Sequence, residues 1–333
     1  MLEFRLAACE APASARSGWR PWQEVIRVYK SLLRHYGHTY LVETAWLYFF
    51  IFPWLVGFFL WTAGPMAYSV YLSFTKYEIL TPPSWIGAKN YVNLVKDPLF
   101  WQSLKVTTVY TFVSLPLGLA GSLAVAVLLN QRVPGMSFWR TIYYVPAVVS
   151  GVPVAVLWRW LFNPEYGIIN WLLWQLFGIQ GPAWLYSKTW VIPAFILMSL
   201  WGIGGGMVIY LGALQNVPTE IYEAAMLDGA GAMRKFLSVT LPMISPVIFF
   251  NLVTGIIGSF QVFTSSYVMT AGGPSNASLF YLLYLYRNAW QYLKMGYASA
   301  LAWVLFWIIM AFTAISFRSA GGWVYYEGMA RAR

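Results

Sequence analysis

The sequence predicts an all-α, polytopic membrane protein with six transmembrane helices. Three observations carry this. The chain is 59% hydrophobic and only 10% charged, where a soluble domain has about 25% charged residues. Residues 44–75, 106–131, 189–219 and 295–317 each hold no charge, and a helix needs only about 20 apolar residues to cross a bilayer. Aromatic residues reach 19%, with 19 Trp, as expected where rings gather at membrane interfaces.

Taken in order, the spans are expected at 47–73, 107–129, 141–161, 190–214, 243–264 and 297–317. The third is short of apolar residues but lies between Arg140 and Arg159, whose long stems can snorkel to the two interfaces. The uncharged run 236–286 is too long for one span, and the turn cluster Ala271-Gly272-Gly273-Pro274-Ser275-Asn276 divides it. Residues 168–179 and 279–286 are too short to cross. They are expected as helices on the membrane surface or capping the outer mouth. Seven spans is the alternative count.

Residues 19–36 have Trp22, Ile26, Tyr29, Leu33 and Tyr36 at helical spacing, with Arg27, Lys30 and Arg34 on another face. Two readings stay open: a helix on an anionic inner leaflet, or one packed on the protein's own cytoplasmic face. The first 40 residues lack the apolar run of a cleavable signal. Lone Cys9 excludes a disulfide within the chain and supports no metal site. The net charge of +10 does not indicate nucleic acid, because no aromatic-basic module accompanies it. Most Lys and Arg instead fall in the N-terminal segment, 130–140, 215–242 and the C-terminus. That bias places both termini in the cytoplasm.

No Asp or Glu lies in any of the six spans, whereas ion-coupled carriers use intramembrane ionisable groups. No catalytic or metal set is visible: His35 and His38 both lie in the N-terminal segment, without a carboxylate cluster. The glycine cluster Gly202-Ile203-Gly204-Gly205-Gly206 lacks the Lys of a phosphate-binding loop. It reads either as close helix–helix contact or as open space beside a solute path. An energy source must therefore come from another chain, or transport is passive.

Between the fourth and fifth spans lies a polar segment, Glu223-Ala224-Ala225-Met226-Leu227-Asp228-Gly229, followed by Val239 and Leu241-Pro242. Thr219 is expected as N-cap, with Glu220 and Glu223 in the positive first turn. Small Ala224 and Ala225 let a partner approach, and Gly229 is placed to stop the helix in the left-handed conformation. Pro242 fits the first turn of the next span. The segment would form a stiff elbow joined to two membrane helices.

This spacing resembles the EAA loop of permease subunits in ATP-binding-cassette (ABC) importers, with Val239 where relatives carry Ile. Further resemblance comes from Tyr71-Leu72-Ser73-Phe74-Thr75, Gly87-x-x-Asn90-Tyr91, Trp158-Arg159-Trp160-Leu161-Phe162-Asn163-Pro164, Gly258-Ser259-Phe260-Gln261-Val262-Phe263 and Gly272-Gly273-Pro274. Together these are similar to the first permease of maltose- or glycerol-phosphate-type systems. Thr264 departs from them where many relatives have Asp, and the large outer insertion of the maltose permease is absent.

The resemblance implies a type I importer permease fold over residues 46–318, with a coupling loop at 216–242. Residues 1–45 and 319–333 would be cytoplasmic segments. It also implies a cell-membrane location, two ATPase copies, a second permease and an extracytoplasmic binding protein. No cofactor is expected in this chain, since ATP and Mg would sit on the ATPase. Glu223, Ala224, Ala225, Asp228, Gly229, Leu241 and Pro242 would contact or shape the ATPase dock. A carbohydrate-like solute is expected, with a polyol phosphate, or an ATP-independent carrier or channel, as alternatives. Ser199, Trp201, Ser259, Phe260 and Gln261 are the expected solute-path residues, packing between helices being the other reading of each.

Overall fold

The computed structural model describes residues 43–131, 133–149 and 151–325. The N-terminal helix expected at 19–36, Cys9, both histidines and residues 326–333 lie outside these. The chain divides into two units between Tyr68 and Ser69. The helix α1, Glu43–Ser73, crosses this division, and its part in the first unit has its apolar side chains exposed, Trp61 at 83% and Phe50 at 72%. A helix apolar all round and unburied suits lipid as its solvent. A π-helical turn, Phe59–Ala63, widens it just before Pro65, which cannot donate a backbone hydrogen bond.

In the second unit a hairpin not foreseen in an all-α reading follows, β1 Thr75–Glu78 and β2 Thr81–Trp85. Helices α2 (Lys89–Lys96) and α3 (Pro98–Leu129) come next. The α3 helix begins nine residues earlier than its expected start. The Asp97 side chain accepts from the Leu99 N–H at 2.9 Å and Pro98 occupies the first turn, so the cap continues the helix through Lys105. Three buried clusters lie along α3, around Tyr110 and Phe195, around Phe100 and Leu301, and around Ala126 and Met207.

The expected third span is two helices, α4 (Met136–Val148) and α5 (Gly151–Leu161), bent by 99°. Pro153 has no N–H for the Val149 carbonyl, and Val149 is extended (φ −71°, ψ 134°). The short helix α6 (Ile168–Phe177) carries no buried residue. The fourth span is likewise bent, by 45°, between α7 (Val191–Trp201) and α8 (Gly204–Gln215). Among the described residues four helices are long and apolar enough to cross a membrane, or up to six if each bent pair is one span.

After α9 (Thr219–Leu227) and the short α10 (Ala232–Lys235), a π segment, Phe236–Thr240, runs into α11 (Leu241–Phe260). Pro246 inside α11 leaves the Pro242 carbonyl without its helical donor, and the Ser245 hydroxyl supplies one at 2.6 Å. The helices α12 (Thr264–Met269), α13 (Tyr281–Tyr286) and α14 (Met295–Ala320) complete the chain. Of the two expectations for residues 279–286, a helix laid on a surface is not met. Leu279, Phe280, Tyr281 and Leu283 are fully buried. The Tyr281 N–H bonds Thr107 Oγ1 on α3, and its hydroxyl donates to the Leu301 carbonyl on α14, each at 2.8 Å.

Candidate functional site: a membrane cavity and its elbow

Three helical segments with small or hydroxylated residues at helical spacing line an open-sided cavity of about 420 Å³. From α3 come Tyr110, Ser114, Gly118 and Ser122, four residues apart and hence on one face. The α11 helix contributes Asn251, Thr254, Gly255, Gly258 and Ser259, and the α7–α8 bend contributes Ser199, Gly202 and Gly206. No charged side chain lines it among the described residues.

The glycine cluster serves both readings. A Cβ at Gly204 would run into the Tyr143 carbonyl of α4, which is close helix contact. Gly202 meanwhile leaves the cavity wall open, while a Cβ at Gly206 would meet Ser122 Oγ of α3 at 2.8 Å. Ser122 Oγ donates to the Ile203 carbonyl at 3.0 Å, holding α3 against the bend.

Ser199 and Ser259 donate back to the Ile196 and Ile256 carbonyls, at 2.7 and 3.1 Å. Each hydroxyl oxygen keeps acceptor capacity for a visitor. Asn251 is 8% exposed and its Nδ2 has no hydrogen-bond partner among the described residues. A buried amide donor of this kind is costly unless something accepts from it. The site can thus satisfy hydroxyls from several sides without fixing any charge.

Of the expected path residues the structure brings Ser199 and Ser259 together, and the other three stand elsewhere. Phe260 is 1% exposed and stacked on Phe312 of α14, centroids 5.4 Å apart, so no ligand ring can reach it. Gln261 lines a different, mostly apolar hollow with Ile257, Leu282 and Phe306. Trp201 meets Trp158 edge-on at 6.2 Å, away from the cavity. Asn251, Tyr110 and Tyr210 were missed, although the four-residue spacing in α3 was visible.

At the cytoplasmic end predicted from sequence, α9 forms the elbow. Gly229 has φ +75° and follows the helix end, with its N–H on the Met226 carbonyl at 3.0 Å. Pro242 stands in the first turn of α11. Two expectations are corrected. Pro218 rather than Thr219 is the N-cap, with no side-chain bond, because Thr219 is already helical. Glu220 alone is acidic in the first turn, Glu223 falling a turn later. Tyr222 ties the elbow to Thr240, their hydroxyls 2.9 Å apart. Glu223, Ala224, Ala225 and Asp228 all lie on α9 or its C-cap.

Other quoted motifs are joints. Asn90 Nδ2 bridges the Ser73 and Thr75 carbonyls at 2.8 and 2.9 Å, and Tyr91 donates to Ser73 Oγ. Asn163 Oδ1 accepts from the Glu165 and Tyr166 N–H groups after α5.

The family profile described as "Binding-protein-dependent transport system inner membrane component" matches residues 118–321. This chain belongs to that family. It is 42% identical over 284 residues to the probable ABC transporter permease protein YesP of Bacillus subtilis (strain 168), covering 84% of this chain and 92% of YesP. Similarity to the sulfoquinovosyl glycerol transport system permease protein SmoG of Agrobacterium fabrum is 34% identity, over 76% of this chain and 83% of SmoG. The trehalose/maltose transport system permease protein MalF of Thermococcus litoralis is 30% identical, over 80% and 91%. Among solved structures, a chain of the bacterial alginate ABC transporter in complex with alginate pentasaccharide-bound periplasmic protein shares the fold. The TM-score is 0.74 at 22% identity, over 87% of this permease and 96% of that chain. This permease is therefore a multi-pass component of the cell membrane rather than an enzyme.

Proposed function

We propose that this chain is one of two permease subunits of an ABC importer, carrying a sugar or sugar-like solute delivered by an extracytoplasmic binding protein. One observation carries the reading: the elbow α9 joins α8 to α11, and both helices wall the same cavity. A push on the elbow reaches Tyr210 on one wall and Asn251 on the other. Each of the two bent pairs counts as one span, giving six, with both termini cytoplasmic. ATP and Mg belong to two separate ATPase copies, which dock on Glu223, Ala224, Ala225, Asp228 and Gly229, while Leu241 and Pro242 set the start of α11. This chain itself holds no cofactor.

The neutral hydroxyl and amide lining favours an uncharged polyol surface over a polyol phosphate, which would draw a cation into the wall. The names of relatives, a trehalose/maltose system and a sulfoquinovosyl glycerol system, both point to a sugar, the first uncharged and the second carrying a sulfonate. Reconstitution tests the proposal: uptake of labelled oligosaccharide into proteoliposomes is expected only with ATPase, second permease and binding protein together. Solute accumulation by the chain alone, without ATP, would refute it.

A further inference from the structure

Opposite the elbow, at the other end of α3, lies a second and larger cavity of about 610 Å³. Leu99 at its rim and Tyr110 at the near edge of the membrane cavity stand 11 residues apart along α3, about 17 Å at 1.5 Å per residue. This cavity is therefore distinct from the membrane cavity in both position and lining. It is walled by β1, α2, the cap of α3, the end of α13 and the start of α14. Its size falls in the range of small-molecule sites, about 300–1,000 Å³, well beyond what a water or a bare ion fills.

The lining chemistry narrows the ligand. Two carboxylates face it, but neither is free. Glu78 pairs with Lys76 at 3.6 Å. Asp97 accepts from the Leu99 N–H at 2.9 Å, from the Tyr297 hydroxyl at 2.9 Å and from the Tyr284 hydroxyl. Lys89 and Lys294 also line the cavity and form no ion pair among the described residues. Alongside them stand the amide of Asn93 and the ring of Tyr292, which is 55% exposed, while buried Asn288 already donates to the Tyr284 carbonyl at 2.9 Å. Amides suit hydroxyls, an open ring suits the C–H face of a sugar, and two unpaired ammonium groups suit negative charge.

We propose that this outer cavity is an accessory binding site for an acidic oligosaccharide, separate from the membrane cavity. Lys89 and Lys294 take its carboxylates, Asn93 its hydroxyls, and Tyr292 stacks on one sugar face. With the orientation proposed above, the site opens outside the cell.

The test uses the full chain in lipid nanodiscs, with an alginate trisaccharide as acidic probe and maltotriose as neutral probe, followed by saturation-transfer NMR and calorimetry. The acidic probe is expected to bind at least tenfold more tightly, with affinity falling as salt rises. Lys89→Gln/Lys294→Gln should weaken it tenfold or more, and Tyr292→Ala should remove the sugar-ring signals, while thermal unfolding is unchanged. Ser259→Phe, which fills the membrane cavity, should leave this binding intact. Equal binding of both probes, no binding of either, or loss caused by Ser259→Phe alone would each overturn the proposal. So would displacement of the probe by raising phosphatidylglycerol in the nanodisc, which would make the lysines a lipid-headgroup contact.

Discussion

Asn251 has a buried Nδ2 with no hydrogen bond of full geometry among the described residues, the Tyr210 hydroxyl being its neighbour in the wall. An unmet donor there costs roughly 1–3 kcal/mol unless a partner arrives. If that partner is the solute, Asn251→Leu should lower uptake about tenfold, the equivalent of one hydrogen bond near 1.4 kcal/mol. Complex stability should meanwhile stay within about 1 kcal/mol, because an unmet donor is removed. Unaltered uptake with a destabilised complex would make the amide a structural residue instead. Asp97 presents the opposite case, a carboxylate with its donors in place. Partial burial pushes its pKa up, but the Tyr284 and Tyr297 hydroxyls and the Leu99 and Phe100 N–H groups outweigh it and hold the carboxyl below the usual range. Burial first, and then the carboxylate beside it, pushes the Tyr284 phenol up to about 12. A depressed folded pKa means stability present above the unfolded value, about 3.9, and lost as pH falls through the folded one. Asp97→Asn should therefore cost about 1 kcal/mol, solvent exposure limiting it. The gap in unfolding midpoint between wild type and variant should persist from pH 7 to 5 and close below about pH 4. A gap that instead widens on acidification would remove the carboxylate from the account.

At the scale of elements, the elbow was the most legible feature, because it is polar where its flanks are apolar and its Gly and Pro have fixed backbone roles. Gly229 sits at φ +75° with open space around a Cβ, so a side chain there meets backbone strain and no clash. Gly229→Val should cost about 1–2 kcal/mol and reduce ATPase association, whereas Gly229→Asn, which tolerates this conformation, should retain most of it. Equal loss in both variants would indicate surface contact at this position rather than helix termination. The bends were less legible. Pro153 and the glycines at 202–206 mark them, but an apolar run reads the same straight or broken. Burial of 279–286 left no trace in composition, since lipid-facing and core-facing residues are equally apolar. The expected path residues separate in the structure for a geometric reason. Ser259, Phe260 and Gln261 are consecutive, and successive helical residues point about 100° apart, so at most one or two can face one cavity. Depth alone found Ser259, and the four-residue rhythm of α3 would have found Tyr110, Ser114 and Ser122.

For the whole molecule the decisive arrangement is a two-ended one, with α3 spanning between a polar outer cavity and the elbow, and α8 and α11 joining the elbow to the cavity in between. Nothing in the chain's sequence offers a phosphate cradle, and under the proposed reading motion enters through α9. Glu223 lies in the body of that helix rather than its first turn, so charge reversal there disturbs the docking face more than the helix dipole, which acts on the terminal turn. Glu223→Lys should leave insertion and unfolding midpoint near wild type while solute-stimulated ATP hydrolysis by the assembled transporter drops at least tenfold. Glu220→Lys, in the first turn, should lower helix stability by a few tenths to about 1 kcal/mol with a smaller loss of hydrolysis. The two substitutions separate docking from helix stability because both residues occupy the same short element at different depths. Normal hydrolysis in Glu223→Lys, measured with binding protein and solute saturating, would move the coupling surface away from α9.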